Sequence, residues 1–147
     1  MDQHCFSFLE SSFSVINDEA MAGEKHLVNG NYIDSIFRMG KAAEFITVSI
    51  SEFEGMDWLI TKGQKKMLEQ LAYKGKIPND IFKKFEFIRN LRNRVAHGYI
   101  KNKEDQAYTV HKDFFDIAVF FYRKYKDNEK KSKKAYGDWM NMKLKMN

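Results

Sequence analysis

The sequence predicts an all-α protein, a bundle of about five helices followed by a basic C-terminal tail. Two observations carry that prediction. Apolar residues recur at three- and four-residue steps over long segments. Proline occurs once, at Pro78, and most of the 8 glycines fall between those segments. At 147 residues, the chain fits one domain. We place the helical domain at residues 1–127 and the tail at 128–147.

The first helix is expected over about residues 3–28, with Phe6, Leu9, Phe13, Ile16 and Ala20 on one face. The "NGN" at Asn29, Gly30 and Asn31 ends it, and the Asn31 side chain is placed to cap the next helix. That second helix covers residues 32–53, with Ile33, Ile36, Phe37, Gly40, Ala43 and Ile46 along one face. Gly40, Ala42 and Ala43 are small, so a neighbouring helix can approach closely there. "EGMD" breaks the chain, and a shorter, more polar third helix is expected over about residues 59–73. "KGKIPND" is a loop, and Pro78 suits the start of a fourth helix over about residues 79–97. After the turn "KNKED", a fifth helix is expected over about residues 106–125, carrying Ala107, Val110, Phe114, Ile117, Ala118 and Phe121. The tail differs in composition: "EKKSKK" brings four lysines, among them Lys130 and Lys131, and aromatic and Met residues follow at loose helical spacing. It is either a solvated terminal helix or a basic arm for nucleic acid or a partner.

Charge and cysteine content narrow the function classes. There are 25 Lys+Arg against 20 Asp+Glu, a net charge of +5, which weakly favours polyanionic partners. A single cysteine, Cys5, cannot form an internal disulfide, which fits a reducing compartment. Asp2 stands where a secretory leader carries positive charge. No apolar run approaches the roughly 18 residues of a membrane span. The expectation is a cytoplasmic protein with no membrane contact. Neither a G-x-x-x-x-G-K-[ST] phosphate loop nor a G-x-G-x-x-G turn is present. The four histidines, His4, His26, His97 and His111, show no metal-ligand spacing, and the adjacent pair His4–Cys5 is a weak signal. The sequence therefore implies no metal and no cofactor.

The informative stretch is "IRNLRNRVAHGYI" in the fourth helix. With Ile81 at zero and about 100° per residue, Phe85, Ile88, Leu91 and Val95 define an apolar stripe, and Arg92 falls inside it at about 20°. Arg89, Asn93 and His97 follow at four-residue steps along one polar edge. An arginine in an apolar stripe is costly unless it is paired or reaches water. Either Arg92 snorkels, or it pairs with an acid such as Glu44 or Glu54 from another helix, or the stripe is partly a dimer interface with a wet cleft at one end. His97 alone suits equally a structural histidine or a charge at the helix C-terminus.

"RNRVAHGY" resembles the signature of the HEPN superfamily: arginine, a polar residue, three further positions and histidine, here Arg92, Asn93 and His97. The resemblance extends to "DSIFRMGKAAEFI", "KGKIPNDIFKKFEFIRNLRNRVAHG" and "FFDIAVFFYRKY", covering roughly residues 31–125, and these are similar to the HEPN-like domain attached to some type I restriction subunits. It implies a helical bundle that homodimerises. It also implies a metal-independent endoribonuclease of toxin or antiviral systems, leaving 2′,3′-cyclic phosphate and 5′-hydroxyl ends. His97, Gly98 and Tyr99 resemble the HEPN toxin whose tyrosine is adenylylated by a nucleotidyltransferase antitoxin. Equally, Gly98 is a natural helix C-terminal residue and Tyr99 a packing group.

The chemistry suits these residue types. RNA supplies its own nucleophile, and cleavage needs a base, an acid and positive charge for the phosphorane-like transition state. Histidine titrates near neutrality, and arginine offers forked donors to phosphate. The expected catalytic set is Arg92, Asn93 and His97, with Arg89, Arg94, Lys130 and Lys131 binding substrate. One motif offers one histidine, so a homodimer would supply the second proton-transfer group. The rival expectation is a non-catalytic module, a dimerisation or nucleotide-binding surface within a restriction or defence complex.

Overall fold

The computed structural model describes residues 5–10, 13–98 and 100–126. Among these, five α-helices form an all-α bundle: α1 (Ser14–Val28), α2 (Tyr32–Phe53), α3 (Gln64–Tyr73), α4 (Asn79–Ala96) and α5 (Lys103–Tyr125). Two 3-10 segments, Ser7–Leu9 and Asp57–Lys62, precede α1 and α3. No helix of the described residues is long and apolar enough to cross a membrane.

Helix α2 is the centre, touching each of the other four. Its Ile36, Met39, Ala42, Ala43, Ile46 and Ile50 are fully buried. A helix surrounded on several sides needs more than one apolar face. Its buried hydroxyls are satisfied locally: Ser35 donates to the Gly23 carbonyl at 2.7 Å, Thr47 to Ala43 at 2.9 Å and Ser51 to Thr47 at 3.0 Å. Against α2 lies α5, whose Phe114 and Phe121 are fully buried and join the aromatic cluster with Phe6, Phe13 and Tyr125. All five stripe residues of α4, Ile81, Phe85, Ile88, Leu91 and Val95, are buried.

Four local expectations change. The first helix begins at Ser14, not near residue 3, although Phe6, Leu9, Phe13, Ile16 and Ala20 are all buried as the spacing implied. The Phe13 carbonyl, at a non-helical φ of −135°, accepts the first bond of α1 from Asn17 N–H at 2.9 Å. The third helix is two pieces. Gly63, at φ 93°, ends the 3-10 segment in a conformation other residues rarely adopt, and α3 starts after it. Asn31 caps α2 with its backbone carbonyl, which accepts from Ser35 N–H at 3.0 Å, and not with its side chain. Helix α5 starts three residues early because Asn102 adopts the left-handed conformation, φ 53°, and its carbonyl accepts from Gln106 N–H. The basic tail with Lys130 and Lys131, and Tyr99, lie outside the described residues.

Candidate phosphate-binding groove

Arg92 leaves the apolar stripe of α4 across the small face of α2. Its side chain lies over Gly40, so close that a Cβ added at Gly40 would stand 2.6 Å from Arg92 Cδ. Beyond Gly40, the guanidinium donates to Glu44 Oε2 at 3.2 Å. The side chain is 31% exposed. Arg92 is thus paired and wet at once, which answers its placement within one chain. Of the two acids the sequence offered, Glu44 is the partner. Glu54 instead accepts from the Tyr125 hydroxyl at 2.6 Å and pairs with Lys76 and Lys124.

This contact forms part of an open groove of about 500 Å³, lined by Phe37 and Glu44 of α2, Lys62 to Lys65 at the start of α3, and Arg89, Arg92, Asn93 and Ala96 of α4. Four cations, Lys62, Lys65, Arg89 and Arg92, face one carboxylate, Glu44. Arg89 is held on its own helix by Glu86, Nε and Nη2 donating at 3.3 and 3.0 Å. The far wall is fixed by Gln64, whose amide donates to Thr47 Oγ1 at 3.2 Å. No side chain caps the N-terminus of α3, so its first amides add partial positive charge to that wall.

The expected site residues divide. Arg89, Arg92 and Asn93 share the groove. His97 is the C-cap of α4, exposed, one turn beyond Asn93, and is not among the residues that line the groove. Arg94 points elsewhere. It lines a separate small pocket of about 150 Å³ with Leu91, Ile100, Lys101, Asn102 and Gln106. At about 220° on the α4 wheel it cannot share an edge with Asn93 at about 120°. Sequence reasoning missed Lys62, Lys65 and Gln64. They carry no motif, and only the turn at Gly63 brings them opposite α4.

No family model, curated protein or solved structure matches this chain.

Proposed function

We propose that the chain is a metal-independent endoribonuclease of HEPN type, acting as a homodimer in a toxin or antiviral system. One observation carries the reading: Arg89, Arg92 and Asn93 stand together on the wall of an open basic groove, and His97, which does not line it, is exposed one turn further along the same helix. The groove is open to solvent, and its donors suit phosphate oxygens. Arg92 supplies fixed charge to the transition state, Asn93 orients phosphate or His97, and His97 transfers a proton. The 2′-hydroxyl attacks the adjacent phosphorus, the base takes its proton, and the acid protonates the departing 5′-oxygen. A second histidine comes from the partner protomer in this scheme. An antitoxin nucleotidyltransferase or a restriction subunit is the regulator the resemblance implies.

The second reading is a non-catalytic module, and a specific observation favours it: Arg92 is already engaged by Glu44. In that case the groove binds a nucleotide or polyanion without chemistry. The experiment that separates them is cleavage of a long structured RNA in EDTA by wild type, His97→Ala and Arg92→Ala. The nuclease reading expects cleavage by wild type alone, with cyclic-phosphate ends. Equal cleavage by wild type and His97→Ala, or none by wild type with RNA still bound, removes it.

A further inference from the structure

Away from the groove, three segments distant in sequence bring donor atoms to one point. Cys5 Sγ lies 2.8 Å from Glu24 Oε2 and 3.5 Å from His111 Nε2, and His111 Nε2 lies 2.6 Å from the same carboxylate oxygen. Cys5 comes from the N-terminal segment, Glu24 from α1 and His111 from α5, none of which lines the groove. Among the described residues this is the one such cluster of three.

The geometry is not that of a Cys–His–acid triad. There the acid holds one ring nitrogen and the thiol faces the other. Here both Cys5 and Glu24 approach the same nitrogen, Nε2. Convergence of sulfur, nitrogen and oxygen on a common centre is instead the pattern of a chelate. Zinc bonds of about 2.3 Å to sulfur and 2.0–2.2 Å to nitrogen and oxygen put tetrahedral donors about 3.3–3.6 Å apart. The three donors would need to spread by less than about 1 Å to reach that geometry.

We propose that Cys5, Glu24 and His111 bind a zinc ion that clamps the N-terminal segment to α1 and α5. The ion displaces the thiol proton. Thiolate and carboxylate together balance its two charges, neutral His111 is the third ligand, and water takes the fourth position. Surroundings support the arrangement. Glu24 Oε1 accepts from the Cys5 backbone N–H at 3.2 Å, which orients the carboxylate. The fully buried Phe6 ring packs edge-on against His111 at 5.5 Å and shields one side. Cys5 is exposed, so an ion reaches the cluster from solvent, and without one a thiolate and the Glu24 carboxylate repel each other. A cation between the two groups turns that repulsion into attraction.

The test uses the untagged full chain and cobalt(II) as a spectroscopic substitute for zinc. One equivalent should bind with a thiolate-to-cobalt charge-transfer band, and one equivalent of zinc should bleach it. Cys5→Ser should lose the band. Glu24→Gln and His111→Gln, each shown folded by circular dichroism, should bind cobalt at least roughly tenfold more weakly, the loss that even outer-shell changes produce. Zinc should raise the thermal midpoint of wild type and not of Cys5→Ser. Absence of the band at saturating cobalt overturns the proposal. So does unchanged affinity in both Glu24→Gln and His111→Gln, which would mean that the thiol binds metal alone.

Discussion

Gly40→Ala tests whether the position of Arg92, and not merely its presence, matters. The new methyl would lie 2.6 Å from Arg92 Cδ, 3.3 Å from Cγ and 3.4 Å from Nε. No real contact tolerates the first distance, so the arginine must move. Three effects then compete. Alanine in a helix interior gains about 0.8–1 kcal/mol over glycine. Shifting Arg92 from its preferred rotamer costs about 0.5–1.5 kcal/mol. Losing a solvent-exposed ion pair with Glu44 costs about 0–1 kcal/mol. Because Arg92 is 31% exposed, it has room to swing into the groove, and the sum should lie between about 0.5 kcal/mol of stabilisation and about 1.7 kcal/mol of destabilisation. Stability is nearly preserved, while the guanidinium leaves its place.

Urea denaturation of four proteins reads this directly: wild type, Gly40→Ala, Arg92→Ala and the double variant. In the Arg92→Ala background nothing obstructs the methyl, so Gly40→Ala should stabilise by up to about 1 kcal/mol. The difference between backgrounds is the Gly40–Arg92 coupling. RNA cleavage by Gly40→Ala should fall on the order of 10²-fold, the cost of misplacing a catalytic group by about 1 Å. A loss above about 3 kcal/mol in the wild-type background would mean that the arginine is locked and overpacking dominates. An identical effect in both backgrounds would refute the contact. Undiminished cleavage would refute the role of Arg92 at this position.

Glu44→Gln should change stability by less than about 1 kcal/mol, since the pair is partly exposed, and should tighten binding of a single-stranded RNA measured by fluorescence anisotropy, because the groove loses its one lining carboxylate. Phe85→Ala should cost about 3–5 kcal/mol in urea denaturation, as a fully buried ring is deleted. Burial alone would raise the Glu54 carboxyl, but the Tyr125 hydroxyl and the Lys124 and Lys76 charges outweigh it and hold it below the ordinary value. Its stabilisation is therefore present above the unfolded value of about 4.3 and is lost as the pH falls through the lower folded value. Glu54→Gln should flatten the acid limb of a stability–pH curve, and an unchanged limb would refute that assignment. Deleting residues 129–147 should leave the thermal transition in place and flatten the salt dependence of RNA binding.

The fold was legible because packing and periodicity agree. The five apolar positions of α4 are buried and α2 ends at the residues its pattern marked. Legibility failed where one residue's backbone decides, as at Gly63 and Asn102, whose conformations are set by turn geometry. The site was half legible. Arg89, Arg92 and Asn93 share one helix, so their spacing places them together. Arg94 lines a separate pocket because neighbours in sequence are about 100° apart on a helix. Lys62 and Lys65, and the meeting of Cys5 with Glu24 and His111, depend on tertiary placement, which no local spacing encodes.

The Arg92–Glu44 pair changes what the proposed dimer has to explain. From the sequence, an arginine in an apolar stripe argued for a wet interface between two copies. In the fold, the small face at Gly40 and the carboxylate of Glu44 accommodate that arginine within one chain. The dimer now rests on chemistry alone, because transesterification uses a base and an acid and each chain brings one His97. That argument has its own test. Mixing His97→Ala and Arg92→Ala protomers yields heterodimers in which one intact arginine and one intact histidine remain. The two-histidine scheme expects no cleavage by this mixture; partial cleavage, with none by either variant alone, would show that one protomer's arginine serves the other's histidine and that a single histidine suffices. A wild type that stays monomeric at tens of micromolar by light scattering yet cleaves RNA would show that one histidine suffices, and the second proton-transfer group must then be sought within the groove of a single chain.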